Sequence, residues 1–422
     1  IISFVALVNI ALNASVIRIF VFLSPVLDLS PGILSGILPL AMSAIILSVL
    51  VGFRVALYAG FFVSLLTAIQ LGNSFEVVLS GMIISFISGF SVRFAKNYRD
   101  YFMRCAVSLS LVMPMLNFLK LLGHSGNPDI FLKSIVAGVA SGIITAILCV
   151  GILFIVEALF RVYSNMSLLV FCDYNHPLLK MLQMEAPGTY HHSLVVSTLA
   201  EQAARDIGAN PIQARVCALF HDIGKLSKPE YFTENNIDGQ NLHEDLSPRM
   251  SSIVILNHVK EGIDLASKYK LPRIVCDAIE QHHGRDMISF FYKRAVDMSE
   301  EGEDSVLEWD YRYPGPLPRS KETVIVALAD GAEAASRSMD KPTPSKIDAL
   351  IWEIFRKKIK DGQLDDADMT IRELAIIRKS FVKTITTMMH GRISYPKDEE
   401  DEADLFNGAL RKNPKQEPKK AD

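Results

Sequence analysis

Only thirteen charged side chains fall within the first 160 residues of this 422-residue chain, and most of them stand between long apolar runs. A bilayer crossing needs about 20 mostly apolar residues. Six stretches meet that length, at roughly 1–23, 33–51, 55–72, 76–92, 103–122 and 131–158. Buried helices of a large soluble protein would also be apolar. Six consecutive runs of membrane length, with charge confined mostly to the turns, point instead to a polytopic helical membrane domain over 1–160, with the lipid bilayer as its partner. Segments 24–32, 73–75 and 123–130 contain no Lys or Arg, whereas 92–104 holds Arg93, Lys96, Arg99 and Arg104. The positive-inside rule makes that basic turn cytoplasmic. Arg54 marks the second turn, and Arg18, near the outer end of the first span, fits poorly. Six crossings place both ends in the cytoplasm. The chain begins at Ile1 in mid-run, which reads as a fragment whose upstream portion, with a further span, has been removed.

The second part has a different character. The first 160 residues net +3, and residues 161–422 net −6, as in an ordinary soluble domain. Apolar residues at helical spacing run over roughly 187–207, 211–224, 248–270, 272–283, 286–299, 321–338, 344–360 and 369–390, and strand-like alternation is absent, so this domain, 161–395, is predicted to be all-α. Stretches 227–247 and 300–320 read as loops, and the charged, Pro/Lys-rich 396–422 as a disordered tail. Five cysteines (Cys105, Cys149, Cys172, Cys217 and Cys276) are odd in number, far apart and without a C-x-x-C pair. That argues against a disulfide framework and a thiolate zinc site, and fits a reducing compartment.

Chemistry concentrates in seven residues of the second part: His192, His221, Asp222, His258, His282, His283 and Asp330. Imidazole and carboxylate suit divalent ions of the Mn, Fe and Zn type. Seven such groups are too many for one metal and about right for two that share a bridging carboxylate. Two metals bracketing a water make it a nucleophile at neutral pH, the tool of a phosphoester hydrolase. Asp222 can bridge through its two oxygens. Asp330 is a lone carboxylate in an apolar stretch, VALADGAEAAS, where burial without a partner costs several kcal/mol. A single buried His is more often a hydrogen-bonded core residue than a ligand; five His and two Asp in this order make a site.

This pattern resembles the HD superfamily of metal-dependent phosphohydrolases. The longer stretches APGTYHHSLVV, FHDIGKLSKPEYFTENN, LSPRMSS, EQHHG, RYPGPLP and LADGAEAASRS resemble the seven-transmembrane HD family (PgpH-type) of bacterial cyclic-di-AMP phosphodiesterases, here without its extracellular domain. The resemblance implies one metal held by His192, His221, Asp222 and Asp330, and a second by Asp222, His258, His282 and His283. His191 competes with His192 as first ligand; the family's spacing of 29 residues before the HD histidine favours His192. Lys225, in HDIGK, is placed to neutralise a substrate phosphate, with a surface lysine as the plain alternative.

These expectations combine into a multi-pass plasma-membrane enzyme with a cytoplasmic dinuclear site that hydrolyses cyclic-di-AMP to pApA. An N/O-rich set without thiolate suits Mn or Fe better than a structural Zn. The alternatives are another phosphoester (cyclic-di-GMP, a nucleotide or an RNA end) or a nucleotide-binding receptor that does not hydrolyse. The HHGRDMISFFYKRA stretch lacks the Gly-Tyr-Pro segment of the cyclic-di-GMP group, and a binding-only receptor has no need of all seven ligands. A homodimer is compatible with the sequence, and no duplex nucleic acid partner is expected. A reporter fused after Arg99 should behave as intracellular, together with one fused after Lys180. Opposite behaviour of the two fusions would break the topology.

Overall fold

The computed structural model describes residues 1–27, 34, 36–122, 128–236, 241–299, 306–339 and 343–390. Every regular element among them is helical, and the only pairing of extended backbone is one isolated antiparallel bridge between Met287 and Arg312. The all-α reading therefore holds. The tail at 396–422 and parts of both predicted loops lie outside the described residues.

Six helices build the first half: α1 (Ile2–Leu27), α2 (Met42–Leu50), α3 (Phe53–Gln70), α4 (Phe75–Val92), α5 (Tyr98–Leu122) and α6 (Pro128–Phe160). Among the described residues, four stretches are long and apolar enough to cross a membrane: Ile2–Val26, Phe53–Gln70, Phe75–Val92 and Ile135–Phe160. The expected span at 103–122 lies inside α5, whose start carries Arg99, Asp100 and Arg104. Among its described residues, the expected span at 33–51 holds one α-helix, the nine-residue α2. At 1.5 Å per residue α2 is about 14 Å long, against a hydrocarbon core of about 30 Å. Its residues Met42 to Ser48 are all buried, so α2 is a short helix enclosed by its neighbours. Pro39 lies within the apolar run, and a proline in a helix interior removes a hydrogen bond and clashes with the preceding turn. The groups this break frees are satisfied from α1: buried Asn9 donates to the Pro39 carbonyl (2.8 Å) and accepts from the Ser43 N–H (3.0 Å). Irregular backbone at membrane depth requires such protein partners.

The second half comprises α7 (Asn165–Val170), α8 (Pro177–Glu185), α9 (Pro187–Ile207), α10 (Pro211–Phe220), α11 (Pro248–Lys268), α12 (Arg273–Gln281), α13 (Ser289–Met298), α14 (Lys321–Arg337), α15 (Pro344–Lys360) and α16 (Ile371–His390). The short α7 and α8 are additions to the sequence reading. Local chemistry marks the starts: Asn210, Ser247 and Thr343 each cap a helix through a side-chain oxygen, and each is followed by Pro at the first helical position, where its missing N–H costs nothing. Gly208, at φ 74°, ends α9 in the left-handed conformation that glycine adopts freely.

α10 is the pivot of this half. Ala214, Cys217 and Ala218 pack into a core with α9, α14, α15 and α16, while Val216, Leu219 and Phe220 pack into a second core with α8, α11 and α12. Apolar on both sides, α10 carries His221 and Asp222 at its end in a fixed place. The sequence suggested a helix running to 224, but α10 ends at Phe220 and the chain passes through Asp222 into a tight 3₁₀ turn, Ile223–Ser227.

Two glycines permit the approach of neighbouring backbone at this point. A Cβ on Gly224 would overlap the His258 carbonyl oxygen, and one on Gly188 would overlap the Glu234 carbonyl oxygen. Gly224→Ala should therefore push the HD turn away from α11. The expected result is loss of bound divalent metal by elemental analysis, with helix content by circular dichroism close to wild type. Full metal content in that variant would show that the close approach is not required.

Candidate metal centre

The ligand-type residues gather from five places in the chain. His192 comes from α9, His221 and Asp222 from the end of α10, His258 from α11, His282 and His283 from the end of α12, and Asp330 from α14. They form two groups whose potential ligand atoms lie within 4.8 Å of one another: Asp222, His258, His282 and His283 in one, and His192, His221 and Asp330 in the other. All seven predicted residues are brought together. His191 is exposed, whereas His192 is buried and faces the cluster.

Asp222 divides its two oxygens between the groups. Oδ1 lies 3.4 Å from His258 Nε2 and 3.6 Å from His282 Nε2. Oδ2 lies 3.3 Å from His221 Nε2 and 3.6 Å from His192 Nε2. Asp330 Oδ1 stands 3.2 Å from His192 Nε2, and its Oδ2 3.8 Å from His283 Nδ1. Separations of this size are those between neighbouring ligands of one metal with bonds of about 2.0–2.2 Å.

Both adjacent pairs, His221-Asp222 and His282-His283, follow a helix end, which explains how neighbouring residues reach one centre. Within a helix, neighbours diverge by about 100°; here each pair lies where the helix gives way. His221 Nδ1 donates to the Ala218 carbonyl (2.7 Å) and His282 Nδ1 to the Ile279 carbonyl (2.9 Å), using acceptors that a helix end leaves free. His258 Nδ1 donates likewise to the Ile255 carbonyl (2.6 Å). With the proton held on Nδ1, each Nε2 presents a lone pair to the cluster. His192 Nε2, His221 Nε2 and Asp222 Oδ1 are buried with no hydrogen-bond partner. Unpaired buried polar atoms are costly, and cations between them would satisfy all three. The residues fit a pair of divalent metals.

Electrostatics agree. Burial raises the cost of charge on Asp222, yet the neighbouring His221 and Lys225 outweigh it and hold the carboxyl well below its usual range. Burial pushes His258 down to about 4 and His283 well below its ordinary value, so both are neutral and able to ligate. Burial also opposes the charge on His192, but the neighbouring Asp330 and Glu333 carboxylates win and raise it to about 10.

Lys225 is not a surface lysine. Its Nζ lies 2.8 Å from Asp222 Oδ2 and 2.8 Å from Glu234 Oε1, beside the Phe232 ring. Burial disfavours its charge, but the two carboxylates overcome this and keep it protonated. Glu234 is anchored in turn by Thr189 Oγ1 (3.1 Å). Sequence reasoning passed over Glu234, Glu333 and Tyr313, whose ring stacks on His283 at 4.2 Å. The first two have a legible trace: Glu333 stands one helical turn after Asp330, and Glu234 follows the HDIGK turn by less than ten residues.

Two cavities open from the centre. One, of about 480 Å³, is lined by His283, Asp330, Arg312, Lys357 and Lys358 among others. The second, of about 350 Å³, is lined by His192, Lys225, Glu234, Asp330 and Arg337 among others. Asp330 borders both.

Residues 2–164 match the family described as a 7TM receptor with intracellular HD hydrolase, and residues 189–335 match the HD domain. The cyclic-di-AMP phosphodiesterase PgpH of Bacillus subtilis is 35% identical over 367 residues, or 85% of this chain and 51% of that protein. PgpH of Listeria monocytogenes is 36% identical over 369 residues, or 86% of this chain and 50% of that protein. The crystal structure of the L. monocytogenes PgpH HD domain in complex with cyclic-di-AMP is 43% identical, with a TM-score of 0.49, and the match covers 52% of this chain and 100% of that one. The chain spans about half the length of the curated relatives it matches. It belongs to the family of 7TM receptors with an intracellular HD hydrolase.

Proposed function

We propose that this chain is a membrane-anchored, dinuclear metal phosphodiesterase that hydrolyses cyclic-di-AMP to pApA at the cytoplasmic face of a bacterial plasma membrane. The observation that carries the reading is the buried Asp222 carboxylate, with one oxygen turned to each of two ligand groups. His192, His221, Asp222 and Asp330 would hold one divalent ion, and Asp222, His258, His282 and His283 the other. An N/O set without thiolate favours Mn or Fe. When bound, such ions supply the charge that activates water and offsets the developing charge on phosphorus.

The chain's own groups supply orientation and further charge. Lys225, fixed by Glu234, faces the smaller cavity as a permanent cation that would offset the charge on the non-bridging phosphate oxygens. Arg312 and Lys358 line the larger cavity, and each is already aligned by a carboxylate, Asp361 and Asp286 respectively. Basic groups on both sides of Asp330 suit a ligand with two phosphodiesters. In the reaction, one P–O3′ bond breaks, the water oxygen ends on phosphorus, and the departing 3′-oxygen takes up a proton. The choice of adenine over guanine follows the curated relatives named as cyclic-di-AMP phosphodiesterases.

The test is product analysis of the purified full chain with Mn²⁺ and each cyclic dinucleotide. Cyclic-di-AMP should give pApA, with kcat/KM at least about tenfold above that for cyclic-di-GMP, equivalent to about 1.4 kcal/mol. Equal or reversed values would remove the substrate assignment and leave the metal chemistry standing. Asp222→Asn should abolish hydrolysis and lower metal content while helix content stays near wild type. Near-native turnover in that variant would refute the bridging role.

A further inference from the structure

His192 is held differently from His221, His258 and His282. His221, His258 and His282 each direct Nδ1 at a main-chain carbonyl of their own helix. His192 directs Nδ1 at a side chain, Glu333 Oε2, 2.6 Å away and from a different helix. Glu333 is buried, and its nearest cation, Arg337 at 3.9 Å, is half exposed. The imidazole is therefore the principal partner of this carboxylate. Glu333 also shares the ligand-bearing face of α14, since residues three apart on a helix are neighbours and Asp330 lies three positions before it.

We infer that Glu333 is a positioning residue for the metal centre. It fixes the His192 proton on Nδ1, aims Nε2 at the Asp222 and Asp330 oxygens, and so raises the affinity of the His192–His221–Asp330 group for a divalent cation. A carboxylate behind a ligating imidazole sets the ring's orientation and increases its basicity, and loss of such a partner typically weakens metal binding by about 10–100-fold. α14 then contributes twice to one metal, through Asp330 directly and through Glu333 by way of α9. In the other group His258 and His282 back onto main-chain carbonyls and none of its members contacts Glu333 among the described contacts, so its affinity should not respond to Glu333. This inference rests on the metal reading proposed above and is independent of the substrate.

The test is Mn²⁺ titration by calorimetry, with elemental analysis, on the full-length chain and on E333L, E333D and E333Q. Leucine preserves the volume without an acceptor, and Asp falls one methylene short of the ring; E333D carries the comparison if E333L does not fold. Wild type should bind two ions. E333L and E333D should bind one with unchanged affinity and the other at least about tenfold more weakly, at wild-type helix content. E333Q, whose amide oxygen can accept the same hydrogen bond, should recover most of the loss. Wild-type affinity for both ions in E333L and E333D, or no recovery in E333Q, overturns the role of Glu333 alone. Failure of the wild type to bind two ions overturns the metal reading together with it.

Discussion

A carboxylate deprived of water is the constraint around which the second half of this protein is organised. Asp222 is 1% exposed and its Oδ1 has no hydrogen-bond donor. An isolated anion in such a place is prohibitively costly, and proteins hold one only against cations or a full set of donors. Every nearby feature answers that demand. Four imidazoles converge on its two oxygens, Lys225 pairs with one of them, and Glu234 and Glu333 steady the groups that do so. Each of these groups, directly or through its neighbour, bears on the same buried carboxylate.

Helix ends are what make the convergence possible. A helix interior spreads successive side chains around its circumference, and two adjacent ligands cannot both face one point. By stopping α10 at Phe220 and α12 at Gln281, the chain frees the following two residues of each from that geometry. The last-turn carbonyls, which would otherwise need solvent, accept the Nδ1 protons of His221 and His282. The partial negative charge at a helix C-terminus also favours a cation there. One arrangement thus satisfies the backbone, sets the tautomer and attracts the metal.

Much of this was legible in the sequence because its cause is local. The seven clustered His and Asp residues, the helices of the second half and the apolar character of the first follow from residue type, period and charge. His192 was distinguished from His191 only through the family's spacing, and the structure agrees because one lies inward and the other outward on α9. What stayed hidden depends on contacts between distant segments. The apolar run at 33–51 looks like a crossing until Asn9, from another helix, is seen to support its break at Pro39. Lys225 could be read as catalytic or superficial because its setting depends on Glu234, brought back by a turn that Gly188 admits. Glu333 carries no sign of its function until α9 is laid beside α14.

The connection between the two halves is short and stiff. α6 ends at Phe160, Arg161 adopts φ 51°, and α7 begins at Asn165. Glu157, in the last turn of α6, accepts from Tyr98 of α5 and from Ser167 and the Ser164 N–H of α7. Asn165 then accepts from Asn210, which caps α10 and whose N–H is held by Glu322 of α14. The hydrogen bonds of this connection run without a break from α6 to α10 and α14, the helices next to Asp222 and carrying Asp330.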